Sequence, residues 1–400
     1  MRMELARRIG FSIGALLIFR LGSQIPLAGI SVQGGLLSSG SVARVSIFSL
    51  TLVPYVSAAI LVQLLSVVWG RLAALERAGE AGRRRIARYT LILTLVLAAF
   101  QAFAIASALQ NISGLVAEPG DWFLLSATAT MVGGVFFMVW LSEQITRHGI
   151  GNGIALVLSI TILVALPADI ASAIELLRQG AVSGNLVLFN AIVWVALVAL
   201  IVLVEGARRN VPVHYAARQV GKRLLPPRDQ VLPLKLNNAG FLIPVTVTPW
   251  IFYLPLALAT FVFGRTPWLA AAYEHIRFAK PAHIILGSIA VFVLVFIYTA
   301  YVLDPERAAE TLQKQGATIP GVEPGEPTAD HLDRVVSLTT TVGAVYLVAV
   351  SLMPEALVAC GVALPYKIGG GSVLIVVCTI LDIKRQVRDV SLTNPGGVRQ

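Results

Sequence analysis

Ten apolar stretches, each close to the roughly 20 residues that a helix needs to cross hydrocarbon, follow one another along this chain of 400 residues. They fall at about 9–30, 51–69, 89–111, 122–144, 154–174, 186–206, 239–263, 283–303, 335–353 and 368–383. A soluble chain of this length would form two or three domains with about 25% charged residues. Here 56% of residues are hydrophobic and 13% charged, which excludes that class and excludes disorder. The expected fold class is all-α and polytopic. The first stretch carries Arg20 and has no small-residue cleavage site, so it reads as a retained span rather than a signal peptide. Ser41 to Leu50 reads as a half-helix, and Gly369-Gly370-Gly371 blurs the start of the tenth span. The two cysteines, Cys360 and Cys378, cannot make a disulfide framework, and Cys378 reads as a small buried hydrophobe.

The charge pattern orients the spans. With the first residues placed inside, the inner segments hold 24 of the 31 Lys and Arg, the outer loops 5. That asymmetry is a positive-inside signal with both termini cytoplasmic. The net charge of +10 then reports topology and anionic headgroups rather than nucleic acid. Two inner loops are long enough to suggest function. Residues 207–238 hold seven basic residues and one acid, Asp229, and Pro212 to Tyr215 reads as the start of a strand. Residues 304–334 hold three basic residues and seven acids. There Asp304-Pro305-Glu306 reads as the capped start of a short helix through Lys314, followed by a Gly- and Pro-rich turn. The basic loop at 70–88 is accounted for by topology alone.

Enzyme signatures are missing. No two of His148, His214, His275, His283 and His331 share the spacing of a helical metal site, and GxSxG, HExxH and P-loop patterns are absent. Gly149 to Gly153 follows a span rather than a strand, which argues against a nucleotide site. No cofactor or metal is expected. A solute carrier is the rival class, but ion-coupled carriers place acids near the midplane. Here Glu143, Asp169, Glu205, Asp304 and Asp382 sit at span ends, and Arg20 can snorkel outward.

Several motifs, in order, resemble one family, the SecY protein-conducting channels. They are Arg20-Leu21-Gly22 with Ile25 to Ile30, Ser46 to Leu50 with Pro54 to Ile60, and Gly82 to Ile86 with Tyr89-Thr90. Trp140 to Thr146 with Gly149 to Gly153, Pro233-Leu234-Lys235 with Asn237, and Ile319-Pro320-Gly321 with Pro324 to Ala329 are the most specific. The resemblance covers about residues 8–388. It implies ten helices in two pseudo-symmetric five-helix halves, 1–174 and 186–400 about a hinge at 175–185, closing like a clamshell on a pore. It implies SecE-like and SecG-like small subunits and membrane lipids around the channel. A SecA motor or a ribosome would dock on the cytoplasmic face, with ribosomal RNA the one nucleic acid involved. The cargo would be nascent chains and preproteins, and the location a bacterial cytoplasmic membrane.

Carried over by position, the resemblance puts an aliphatic pore ring at Val56, Ile60, Ile154, Leu158, Val245 and Ile375. A narrow ring that makes no hydrogen bonds dewets and blocks ions, yet yields to a passing chain. Ordinary apolar helices would supply the same residue types, so spacing without the resemblance carries little. A lateral gate between the second and seventh spans would use Ser57, Gln63 and Thr246; a helix–helix hydrogen bond explains each equally well. Docking would involve Arg208, Arg209, Arg218, Lys222, Arg223 and position 323. The chain is expected to depart from the pattern in three places, the first being that little of the family's N-terminal amphipathic segment precedes the first span. Only Ser31 to Gly40 remain where the family's plug lies, within a shortened 31–50 region, and they are too rich in Gly and Ser for a stable helix. Glu323 stands where the family carries arginine. The expected function is a protein-conducting channel, not an enzyme, with a solute carrier or an accessory insertase as alternatives.

Overall fold

The computed structural model describes residues 2–30, 45–112, 114–215, 218–220, 223–225, 228–241, 256, 259–260, 266–362 and 369–392. In chain order the helices are α1 (Arg2–Gly22), α2 (Val53–Val68), α3 (Gly70–Arg77), α4 (Gly79–Gln110), α5 (Asp121–His148), α6 (Gly153–Arg178) and α7 (Gly184–Gly206). Strands β1 (Arg208–Tyr215), β2 (Arg218–Val220), β3 (Arg223–Leu225) and β4 (Arg228–Lys235) follow. Then come α8 (Pro267–His275), α9 (Pro281–Val302), α10 (Pro305–Lys314), β5 (Ala317–Thr318), α11 (Glu326–Ala359) and α12 (Gly370–Leu392).

Among the described residues six helices are long and apolar enough to cross a membrane: α4, α5, α6, α7, α9 and α11. Their outer faces are apolar and uncovered. On α7 only Asn190, Leu197 and Ile201 are buried, while Val195 and Leu203 are each 71% exposed. Exposed apolar surface on this scale calls for lipid as the solvent. The expected seventh span at 239–263 lies almost wholly outside the described residues.

The chain divides into two compact units. The first comprises Met1–Ala168 with Ile375–Gln400. Its core joins α4 and α5 through Ala98, Ala102 and Ala106, one face of small residues four apart, against Phe123, Ala127, Met131 and Val135. Small side chains let the helix backbones approach closely. Cys378 is buried within α12, as its apolar surroundings predict.

Two expectations about this unit need correction, and a third segment, expected only as a basic connection, has a structure of its own. The first span does not run to Ile30: α1 stops at Gly22, with Arg20 in its last turn. A Cβ on Gly22 would stand 2.0 Å from the Phe48 ring, and Pro26 holds Ile25 extended. Residues 25–30 then run as a ribbon: Leu27 N donates to Val45 O at 3.0 Å, and Ile47 N to Ile25 O at 3.2 Å. Residues 47–52 form turns, after a bridge from Ser46 to Pro26, instead of the expected half-helix; residues 31–44, where the shortened plug was expected, lie outside the described residues. The basic loop at 70–88 is helical throughout except for a break at Ala78, because Arg, Leu, Ala and Glu are good helix formers.

The second unit comprises Asp169–Leu374. Here α9 packs along α11, and the chain between α7 and residue 241 forms the strands. Near the C-terminal end of α11, Glu355 is buried at 3% exposure, and its Oε1 accepts from Ala279 N at 2.9 Å and contacts Nδ1 of His283. That pair was not expected: 72 residues separate its members. Among the described residues no three His, Cys, Asp or Glu side chains gather as a metal site.

Candidate functional site

The two long loops form one module. β1 alternates, with Val211 and Val213 facing inward and Pro212 and His214 outward, as a half-buried strand should. It pairs antiparallel with β4 from Arg208↔Lys235 to Tyr215↔Arg228, and on its other edge with β5 through His214↔Thr318 and Tyr215↔Ala317. The sheet order is β4-β1-β5, so the 207–238 and 304–334 segments share a sheet. They also share a core: Val211, Val213 and Leu234 pack with Leu312, Ala317, Ile319, Leu332 and Val336. The short helix α10 forms as its cap predicts, with Asp304 Oδ1 accepting from Arg307 N at 3.2 Å and Pro305 opening the first turn.

The Pro233 to Asn237 motif acquires a physical role. Leu234 enters the shared core, and Asn237 is 3% exposed. Its Nδ2 donates to Glu205 Oε1 at 2.6 Å, and its Oδ1 accepts from Gly240 N at 2.9 Å. Tyr346 OH donates to the same Glu205 oxygen at 3.5 Å. The hairpin is thereby tied to α7 and α11. At that seam a Cβ on Gly343 would lie 2.4 Å from Leu236 O. Alanine favours a helix over glycine by about 1 kcal/mol, but overpacking against an immovable carbonyl costs about 1–3 kcal/mol. Gly343→Ala is therefore expected to lower the thermal stability of the purified protein and to speed proteolysis between 216 and 227. Glu205 was read only as an acid at a span end, and Tyr346 and Gly343 were not singled out in the sequence, since nothing local marks them.

Of the expected docking residues, Arg208 and Arg209 are exposed at the base of β1. Arg218 and Arg223 lie on the β2–β3 pair, and Lys222 falls outside the described residues. Glu323 is exposed in the turn before α11; its carbonyl accepts from Thr328 Oγ1 at 2.7 Å, and its carboxylate has no ion pair among the described residues.

The expected ring residues map onto three helices of the first unit. Val56 and Ile60 are buried on α2, at 3% and 1% exposure, Ile375 is buried on α12, and Ile154 and Leu158 are half-buried on α6. Val245 and Thr246 lie outside the described residues. Helices α6 and α12 are clasped beside the ring positions: Ser159 Oγ donates to Thr379 Oγ1 at 2.7 Å, which donates to Ile375 O at 2.7 Å. Of the gate residues, Ser57 is buried, and neither its hydroxyl nor the Gln63 amide oxygen has a partner among the described residues.

The Gly149 to Gly153 motif is a structural turn. Asn152 Oδ1 caps α6 by accepting from Ile154 N at 3.0 Å and Ala155 N at 3.3 Å. Ile150 N donates to Ser12 Oγ at 2.9 Å and Gly151 N to Gln386 Oε1 at 2.8 Å, bracing α1 and α12. A Cβ at Gly153 would stand 1.9 Å from Ser142 O.

Comparison with known proteins accounts for the arrangement. Residues 46–384 match the SecY family model. The chain is 39% identical to the protein translocase subunit SecY of Escherichia coli K12, across 98% of this chain and 93% of that one. It is 40% identical to the protein of the same name from Vibrio cholerae, across 96% and 91%. Among solved structures, one of SecY reported for its plug domain superposes with a TM-score of 0.71 at 17% identity, covering 97% of this chain and 93% of that one. Sec61 in the canine ribosome–channel complex superposes with a TM-score of 0.66, also at 17% identity and over the same shares. The fold is that of these channels, and the chain belongs to the SecY family of protein translocase subunits.

Proposed function

We propose that the chain is a protein-conducting channel of a bacterial cytoplasmic membrane, which passes unfolded polypeptide across and releases apolar helices sideways into lipid. The pairing of His214 and Tyr215 with Thr318 and Ala317 carries this reading. It fuses two long polar segments into one folded module at one end of lipid-facing helices, as a channel driven by a docked partner requires. No catalytic residues are assigned, and the driving force comes from that partner, a SecA-type motor or a ribosome. SecE-like and SecG-like subunits complete the channel. Both termini and the module face the cytoplasm, in keeping with the charge asymmetry. Val56, Ile60, Ile154, Leu158, Val245 and Ile375 form the ion-excluding waist. Ser57, Gln63 and Thr246 line the lateral exit, where lipid solvates about 20 apolar residues better than the channel does.

The test is reconstitution. Vesicles holding the chain and its small subunits should import an unfolded, signal-bearing precursor when motor and ATP are supplied; a saturable flux of small solute without precursor import would favour a carrier instead. Protease cleavage within 216–227 and within 319–325 should abolish motor or ribosome binding in co-sedimentation while the spans stay intact. Full binding after both cuts would refute the docking role.

A further inference from the structure

The second unit holds a cavity of about 700 Å³ bounded by the last turns of α9, by α10 and by the first four turns of α11. Six carboxylates line it: Asp304, Glu306, Glu310, Glu326, Asp330 and Asp333. No lysine or arginine lines it. This chain has 31 basic residues against 21 acidic ones, so gathering six acids around one cavity runs against its overall composition. Two of the six have surface partners: Arg307 reaches Asp304 at 2.9 Å, and Lys314 reaches Glu310 at 3.3 Å. Glu306, Glu326, Asp330 and Asp333 have no ion pair among the described residues.

A second observation comes from the membrane-proximal wall. Thr299 of α9 and Thr340 of α11 both line the cavity, at 2% and 3% exposure. Neither hydroxyl has a hydrogen-bond partner among the described residues. A helical threonine ordinarily bonds back to the carbonyl one turn earlier, as Thr339 and Thr341 do on the same helix. Buried polar atoms without partners are rare and call for an explanation. The carboxylates accept hydrogen bonds and repel anions, and the hydroxyl oxygens can accept beside them, which is the chemistry of a site for a cationic donor.

We propose that this cavity binds an arginine side chain presented by a polypeptide that docks on the β4-β1-β5 module. The guanidinium has five donors in a planar fork, enough to satisfy several carboxylates at once. A bare metal ion fits poorly, since no three candidate ligands lie close enough to hold one among the described residues. The ammonium of a zwitterionic lipid brings a phosphate into the same ring of carboxylates, which repels it. The volume is that of a site for a sizeable ligand rather than an ion. Val336 lines the cavity and belongs to the module core, so a partner on the module is within reach. The inference rests on the docking reading for the source of the arginine.

The experiment uses the full complex in lipid nanodiscs and a fluorescent, end-blocked peptide carrying three arginines, followed by anisotropy. A citrulline version keeps the shape and removes the charge. Binding of the arginine peptide is expected to be saturable, and about tenfold tighter than that of the citrulline peptide. Asp330→Asn with Asp333→Asn should weaken it about tenfold. Thr299→Val with Thr340→Val should weaken it at unchanged salt dependence. Glu80→Gln, at an exposed acid in the first unit, should leave it unchanged. Equal affinity for the citrulline peptide, or undiminished binding to the aspartate variant, overturns the site. Competition by phosphatidylethanolamine added to the nanodiscs also overturns it, since the occupant would then be a lipid amine. Those failures with precursor import intact leave the channel reading standing; loss of import in the unmodified complex overturns that reading without touching peptide binding.

Discussion

Replacing Ile60 and Ile375 together by asparagine is expected to raise the resting ion conductance of the reconstituted channel by at least about tenfold. Both side chains are buried, at 1% and 3% exposure. An amide left dry there costs about 1–3 kcal/mol, so a ring holding two of them draws in water instead. Water removes the dewetted barrier that excludes ions. About 1.4 kcal/mol off a barrier is a factor of ten in rate, and two amides exceed that. Planar-bilayer recording without precursor checks it. A double variant that assembles normally and conducts no more than the parent removes these residues from the waist.

Glu323→Arg is expected to tighten binding of a SecA motor or ribosome from an organism whose channel carries arginine there, by about tenfold, or 1.4 kcal/mol. Glu323 is exposed, with Glu326 and Asp330 close by in sequence, so the tip is acidic. Against the acidic surface of such a foreign partner the native glutamate repels, and like charges facing each other can cost several kcal/mol. Arginine also offers a fork that pairs with carboxylate or phosphate. Precursor import driven by that motor should rise in parallel. Unchanged or lower affinity and import would mean that Glu323 meets a basic patch on its own partner, or that Arg307 or Arg334 already supplies the contact.

The spans were legible because apolar length is a local property. The strand at Pro212 to Tyr215 and the Asp304 cap were legible for the same reason: alternation and an Asp-Pro step are written in adjacent residues. What pairs with what was not. β5 contributes two residues, too few for any pattern, and finds its place only against β1, about a hundred residues earlier in sequence. Glu355 reads as a chance acid in an apolar helix until His283 and the Ala279 amide surround it. The end of α1 depended on Phe48, which lies beyond the ribbon. The ring and gate positions came from resemblance, since an apolar helix gives no local sign of which aliphatic side chains face a pore. Two of those positions, Val245 and Thr246, lie outside the described residues.

The clasp between Ser159 and Thr379 sets a timetable for biogenesis. These hydroxyls lie 220 residues apart, and Gly151 N meets Gln386 across a similar gap. A ribosome making about 5–20 residues per second needs some ten seconds or more to cover that interval. Throughout it, the turn at 149–153 and the buried side of α6 are without their final partner. A chain stopped before Ile375 would lack the groups that Ser159 Oγ and Gly151 N meet on α12. α12, which emerges after α1 to α11, is the element whose arrival closes the first unit.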